Sequence, residues 1–192
     1  FSTAEKLQSK QNTSSADGRT KVDTIILNGA ECEPYLSCDE SLMLSEVEAV
    51  LQGAKILAHA AAAENIVIAI EDRMNEVKDR FEDAIQRTKL NNISIVQVPT
   101  YYPEGGERQL IQVLTGLEVP HHGLPRDLGV LCFNVATAAA TYQAVVHGQA
   151  LIERLVTITG HCVTKPSNWW VRIGTPISAL VEAAGGFQSP PQ

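Results

Sequence analysis

No stretch of this sequence approaches the roughly 20 consecutive apolar residues that a bilayer-spanning helix needs. The most apolar segment, Ile56 to Ala63, is short, alanine-rich and interrupted by His59. No direct membrane span is expected. Basic clusters are missing as well: 15 Lys and Arg stand against 22 Asp and Glu, for a formal net charge of -7. Phosphate backbones are held by grouped Lys and Arg, so a nucleic-acid partner is excluded and anionic lipid head groups are disfavoured. The four cysteines, Cys32, Cys38, Cys132 and Cys162, have no C-x-x-C spacing. These residues therefore encode no iron–sulfur cluster, and free thiols in a reducing compartment are expected rather than a disulfide framework. The adjacent His121 and His122 have no Cys or acid nearby to complete a tetrahedral metal set and read as a solvated loop pair. The opening Phe-Ser-Thr-Ala-Glu-Lys has neither an initiator Met nor the charged-then-apolar order of a secretory leader. Residue 1 is thus expected to be a boundary within a longer polypeptide.

What is present is the balance of a protein with a core, 44% hydrophobic and 19% charged over 192 residues. Residues 1–8 read as the end of a helix, and Ser9 to Lys21, polar and without periodicity, as an exposed mobile loop. Short continuous apolar runs at Thr24 to Leu27 and Ile66 to Ile70 predict strands buried on both faces, and Ile93 to Val98 and Gly129 to Phe133 read as a third and a fourth strand. Helical spacing follows each strand. It begins at Ser45, where Glu48 three residues on suggests a capping box, and again around Val77 to Ile85. A third helix opens at Gly105-Gly106 and stops near Gly116, and a fourth runs from about Val135 to Val146 and ends at Gly148. Strands alternating with such helices imply an α/β fold: a Rossmann-like parallel sheet with helices on both faces, over residues 1–150. After residue 150 the rhythm changes to two strands, Leu155 to Thr159 and Trp169 to Ile173, and a short helix from Ile177. Residues 151–192 therefore read as a small β-rich module, incomplete at its C-terminal end.

Ligands of open parallel sheets bind beyond the carboxyl ends of the strands. Three polar, glycine-containing segments lie there: Asn28 to Pro34, Tyr101 to Glu107, and Asn134 to Thr137. Gly29, Gly105 and Gly106 would let backbone approach a flat ring or a phosphate closely. Glu31 and Glu33, two apart, would point the same way in extended chain and offer acceptors to sugar or ribityl hydroxyls. Asn134 and Thr137 straddle the start of a helix, where unpaired N–H groups favour a phosphate. Plainer readings exist for each: Asn134 as a helix cap, Gly105-Gly106 as a turn, and Glu31, Glu33 and Glu107 as solvated acids.

Taken together and in order, these segments resemble a known family. Asn28 to Asp39 (NGAECEPYLSCD), Gly105 to Leu110 (GGERQL) and Asn134 to Thr137 (NVAT) look like the flavin-site signature of the C subunit of the Rnf electron transport complex. They are similar also to the NADH-oxidising flavoprotein subunit of respiratory complex I. Arg154 to Pro176 resembles the start of that family's soluble-ligand-binding β-grasp (SLBB) module, so residues 151–192 are expected to be β-grasp-like. The resemblance implies that Asn28 and Glu31 contact flavin mononucleotide (FMN). Gly105 and Gly106 would pack against it, and Asn134 and Thr137 would lie near its ribityl-phosphate end. Lys6 would supply a cation near flavin or NADH, Glu33 and Glu107 would lie towards NADH, and Phe1 would stack on a nicotinamide or adenine ring. No catalytic acid or base is implied, because the flavin carries the hydride chemistry. The implied protein passes electrons between NADH and 4Fe-4S clusters through FMN, coupled to ion translocation. It would do so with the other subunits of the Rnf complex at the cytoplasmic face of the inner membrane.

Two departures bear on this carry-over. Gly106 stands where the complex I pattern has a second acid, and Phe133-Asn134 stands where it has two Asn residues. The family's glycine-rich loop would precede Phe1 and its cluster domain would follow Gln192, so residues 1–192 alone are expected to bind flavin weakly or not at all. A cobalamin reductase-type flavoprotein subunit shares the Asn-Gly-Ala-Glu-Cys-Glu-Pro core, although Tyr35 to Asp39 favours the Rnf type. A non-catalytic docking module of a redox complex is the alternative from another class, with Trp169-Trp170 as its candidate contact and core packing as the plainer role for that pair.

Overall fold

A computed structural model describes residues 2–8 and 21–189. Phe1 and the expected mobile loop, apart from Lys21, lie outside the described residues. A first helix, α1 (Thr3–Gln8), precedes β1 (Thr24–Gly29). Two helices follow, α2 (Cys38–Ser45) and α3 (Val47–Ala61), then β2 (Asn65–Glu71), α4 (Asn75–Thr88), β3 (Ile93–Val98) and α5 (Glu107–Thr115). A 3-10 turn at Pro125–Leu128 leads into β4 (Val130–Asn134) and α6 (Val135–His147). The chain then forms β5 (Glu153–Ile158), β6 (Ser167–Arg172) and α7 (Ile177–Ala183).

The first four strands form one parallel sheet in the order β3-β2-β1-β4. The apolar runs of β1, β2 and β4 are largely buried on both sides because successive side chains point to opposite faces, whereas the edge strand β3 buries only Ile93 and Val98. Ile25, Leu27, Ile66, Ile68, Leu131 and Phe133 join a core with α2, α3, α4 and α6. Ile26, Ala69, Val130 and Cys132 join a smaller core with Leu110 and Ile111 of α5. Strand order runs outward from β1 to β3 and then returns to β4 on β1's other side. Reversing direction moves the crossover helix to the opposite face when crossovers keep one hand. The fold is the expected Rossmann-like sheet with helices on both faces.

Small residues set the helix spacing on the larger face. A Cβ on Gly53 of α3 would fall 1.8 Å from the carbonyl oxygen of Ala138 in α6. The two helices therefore touch backbone to backbone, and Ala49, Ala54 and Ala139 line their seam as buried residues. Beyond α6, β5 and β6 pair antiparallel, and a single bridge joins Val163 to Phe187. This module is thinly packed: α7 buries none of its residues.

Two local expectations are corrected. Helical structure after β1, expected to begin at Ser45, already begins with α2 (Cys38–Ser45), a helix of eight residues that buries Leu42 and Met43. The capping box at Ser45 does not form. Glu46 is the N-cap of α3 without a side-chain cap bond, and Ser45 Oγ instead donates back to the carbonyls of Ser41 (2.9 Å) and Leu42 (3.3 Å). Because only Glu46 separates α2 from α3, Ser45 has a turn of helix behind it, and its hydroxyl takes that local acceptor.

A candidate nucleotide site at the switch point of the sheet

Strand direction out of the sheet reverses between β1 and β4, and such a switch point opens a crevice beyond the strand ends. Asn28, near the end of β1, and Asn134, the last residue of β4, are register partners there. Above them lies a cavity of about 190 Å³ lined by Thr3, Lys6, Asn28, Glu107, Cys132, Phe133, Asn134 and Thr137. Four of the seven residues expected at a flavin, Lys6, Asn28, Asn134 and Thr137, line this one space, and Glu107 joins them.

Each is held by its own element. Lys6 reaches over from α1 and donates to Glu107 Oε1 at 2.9 Å and to the Cys132 carbonyl at 2.8 Å. Its ammonium also sits 5.6 Å from the centre of the Phe133 ring. Asn28 Nδ2 donates to the Gly105 carbonyl at 2.8 Å, while its Oδ1 accepts from Ala30 N at 3.1 Å. That bond ties the loop after β3 to the end of β1, although β2 lies between those strands. The loops beginning at Asn28, Thr100 and Asn134 thus share one rim. Gly105 itself is pressed against protein: a Cβ there would come within 2.2 Å of the Ala30 carbonyl. Gly106 is the N-cap of α5.

Asn134 caps α6, accepting from Ala136 N at 2.8 Å, and its amide nitrogen donates to Asp39 Oδ2 at 2.5 Å. Burial raises the Asp39 carboxyl above its ordinary value, against the stabilising bond from Asn134. With both ends of the Asn134 amide engaged, its orientation is fixed.

Glu31 and Glu33 do not point the same way. The chain turns after Glu31, with Leu36 N donating to the Glu33 carbonyl at 3.3 Å, so Glu33 is exposed and Glu31 is buried. The Glu31 carboxylate sits across the N-terminus of α2. It accepts from Cys38 Sγ (3.2 Å), Asp39 N (3.2 Å) and Glu40 N (3.3 Å), the donors a helix start leaves unpaired. Neither acid is among the residues that line the cavity.

The sequence reading missed α2 and therefore the groups it brings in. Asp39 reaches Asn134. Arg73, from the turn after β2, bridges Glu40 (2.6 Å) and Glu71 (2.6 Å). Glu71 is 1% exposed, burial raises its carboxyl, and its Oε1 has no partner among the described residues. The acids Asp39 and Glu40 just ahead of Leu42-Met43-Leu44 are the usual sequence mark of a helix start and could have revealed it.

Burial pushes the Cys132 thiol up to about 12 and the Cys38 thiol up to about 11, helped by Glu107 and Glu31 respectively. Neither is a thiolate nucleophile near neutral pH. His121 and His122 stack edge to face on an exposed loop, and no group of three metal-ligating side chains occurs among the described residues. No described helix is long and apolar enough to cross a membrane.

A larger groove of about 450 Å³ lies between α3, α6 and the β5–β6 module. Its walls are mostly apolar, with alanines, Leu151, Ile152, Leu155 and Trp170, and they also carry Glu46, Gln143, Gln149, Glu153 and Arg154. What sets the smaller cavity apart is its place at the carboxyl edge of the sheet, where Lys6, Asn28, Asn134 and the N-terminus of α6 converge on one space.

A family model described as the Nuo51 FMN-binding domain matches residues 1–143, and one described as the SLBB domain matches residues 155–192. The chain is similar to the C subunit of the ion-translocating oxidoreductase complex of Haemophilus influenzae (strain PittEE), at 43% identity over 96% of this chain and 27% of that protein. It is similar also to the protein of the same name from Erwinia tasmaniensis, at 44% identity over 96% of this chain and 22% of that protein. The chain thus spans about a quarter of the length of these curated relatives. Among solved structures it is similar to a chain of an NAD+-reducing NiFe-hydrogenase in the H2-reduced state. That likeness has a TM-score of 0.79 at 22% identity, covers 96% of this chain and 35% of the other, and bears on fold alone.

Proposed function

From the premise that this chain belongs to the Nuo51 FMN-binding domain family and carries an SLBB domain after it, we propose that the cavity at the switch point binds FMN. In this reading the protein is an electron-transfer subunit of an ion-translocating oxidoreductase complex. The observation that carries the reading is the convergence of Lys6, Asn28, Asn134 and Thr137 on one cavity at the carboxyl edge of the sheet. Fit to a flavin nucleotide is supported by the chemistry of that set. Lys6 offers an ammonium, Asn28 and Asn134 offer amides in fixed orientations, and Thr137 offers a hydroxyl in the first turn of α6, where helix N–H groups favour a phosphate. A cavity of about 190 Å³ holds part of such a ligand, and its rim is open.

Bound FMN would supply the redox chemistry, as hydride acceptor from NADH and single-electron donor to 4Fe-4S clusters, and Lys6, Asn28, Asn134 and Thr137 are the residues that would hold it. The chain's own residues bind and orient. Lys6 places positive charge beside the ring and phosphate, and Glu107 steadies Lys6. Gly105 and Gly106, which are not among the residues lining the cavity, are assigned to its flank, with Gly105 closing on Ala30 and Gly106 lying against Gln109 at the start of α5. Glu31 serves the same site through α2, whose amides occupy both its oxygens. Exposed Glu33, together with Glu107, is assigned to the NADH side, where carboxylates accept from ribose hydroxyls. Phe1, outside the described residues, is assigned to ring stacking. The domain boundary is taken near residue 150. The exposed Trp170, Ile173 and Ile177 of the second module are assigned to contact with other subunits, on the cytoplasmic face of the inner membrane.

The test uses the full-length polypeptide. It should purify with FMN in a one-to-one ratio and reduce an artificial dye at the expense of NADH. Lys6→Ala and Asn134→Ala should lose both properties. A protein that folds but holds no flavin and reduces no dye would leave the docking-module reading in its place.

A further inference from the structure

The first turn of α2 is tied to more of the molecule than its length would suggest. On one side it meets the nucleotide cavity, because Asp39 holds the amide of Asn134, a cavity residue (2.5 Å). On the other it meets the β5–β6 module. Ser37, the N-cap of α2, donates its backbone N–H to Thr157 Oγ1 of β5 at 3.1 Å. Asn168 of β6 donates its amide nitrogen to the Ser37 carbonyl (3.1 Å), to Ser37 Oγ (3.0 Å) and to Ser41 Oγ (2.6 Å). Thr157 Oγ1 in turn donates to Asn168 Oδ1 at 2.8 Å, which locks the two module residues to each other.

The geometry matters because Ser37 has no side-chain cap bond to its own helix. The N-terminus of α2 is held instead by three outside groups: Glu31 across its amides, and Thr157 and Asn168 at its cap. Removing the module's two side chains leaves Glu31 across the helix amides and the Arg73–Glu40 pair in the same turn. Asp39 lies two residues into the helix, so a shift or fraying of this turn moves the carboxylate that orients Asn134. The path from β6 to the cavity is four side chains long, and every step is a hydrogen bond or a helical neighbour.

We propose that Thr157 and Asn168 are positioning residues for the nucleotide site, acting through Ser37 and Asp39, so that docking of the β5–β6 module sets how tightly the cavity holds its ligand. This rests on the reading of that cavity as a flavin site. Arg154 of β5 supports the link from the same side, since its charge favours the ionised form of Asp39.

The test measures FMN affinity of the full-length polypeptide by flavin fluorescence, together with thermal unfolding of the flavin-free protein. Thr157→Val keeps the shape of the side chain and removes its hydroxyl; Thr157→Ser keeps the hydroxyl. Two sites joined by a pinned element commonly influence one another by roughly fivefold or more. Thr157→Val and Asn168→Ala should weaken FMN binding on that scale while the unfolding temperature of Thr157→Val stays near wild type. Thr157→Ser should bind as the wild type does. Wild-type affinity in both Thr157→Val and Asn168→Ala overturns the proposal alone. Affinity in Thr157→Ser as weak as in Thr157→Val overturns it as well, because the hydroxyl is then not the working group. A wild-type protein that takes up no FMN overturns the cavity reading, and this proposal with it.

Discussion

The α/β layer and the β5–β6 module differ in how each is held together. In the layer, β1 and β4 are buried on both faces, and Ile25, Ile26, Leu27, Val50 and Phe81 are wholly closed to solvent. In the module, β5 and β6 show no fully buried position, and Trp170, Ile173 and Ile177 are 53%, 65% and 77% exposed. Apolar burial holds the first; directed polar bonds to α2 hold the second in place. The layer can therefore fix a site to a fraction of an ångström, because its strand ends are anchored by a dry core. The module has little core of its own; its hydrogen bonds to α2 come from Thr157 and Asn168, and Leu155 packs against the layer's core.

Substitutions in equivalent roles should separate the two regions sharply. Phe81→Ala, which empties a site closed to solvent, should cost about 3–5 kcal/mol in urea unfolding. Trp170→Ala in the module should change stability by no more than about 0.5 kcal/mol. A loss between these two is expected at the α3–α6 seam. Gly53→Ala puts a methyl on the Ala138 backbone and should cost about 1–3 kcal/mol through steric overlap, an overlap that Gly174 does not have, since a Cβ there meets nothing within 4 Å. Any cost at Gly174 would come from its φ of 94° instead.

Within the site, Glu31 and Glu33 offer a finer comparison. Glu31→Ala removes the carboxylate from the start of α2 and should cost about 1–2 kcal/mol, the range of a lost helix cap. Glu33→Ala, on an exposed turn, should leave stability unchanged and alter only the Michaelis constant for NADH. Equal stability of the two variants would contradict the division of roles drawn between them.

The smallest effect concerns pH, and only its sign is set. Asp39 and Glu71 have carboxyls raised by burial. A carboxyl whose folded value exceeds its unfolded value binds its proton more tightly in the native state. Its contribution therefore favours folding more as pH falls through the window between the two values. In that window Asp39→Asn should flatten the pH profile of urea unfolding relative to wild type, and a steeper profile would mean that the burial of Asp39 does not govern its titration.

Much of the layer could be read from the sequence because its signals are local. Continuous apolar runs such as Ile66 to Ile70 admit few roles other than a doubly buried strand, and Gly105-Gly106 ahead of Leu110 and Ile111 marks a helix start. The switch-point rule then brings Asn28 and Asn134 together before any coordinate is known. What escaped the sequence depends on the path of the chain between elements. The alternation of Glu31 and Glu33 suggested a shared direction, which holds only in extended chain, and the turn at Glu33 to Leu36 broke it. Ser45 and Glu48 matched a capping pattern, but the pattern does not register that α2 already occupies the residues before it. Asp39 carried a helix-start signal and no sign of its distant partner, because Asn134 lies 95 residues away.

The most direct test of the central claim is a structure of the full-length polypeptide with FMN bound. The account predicts flavin density against Lys6, Asn28, Asn134 and Thr137 at the ends of β1 and β4. Flavin density in the alanine-lined groove under Trp170, or on the opposite edge of the sheet, would contradict it.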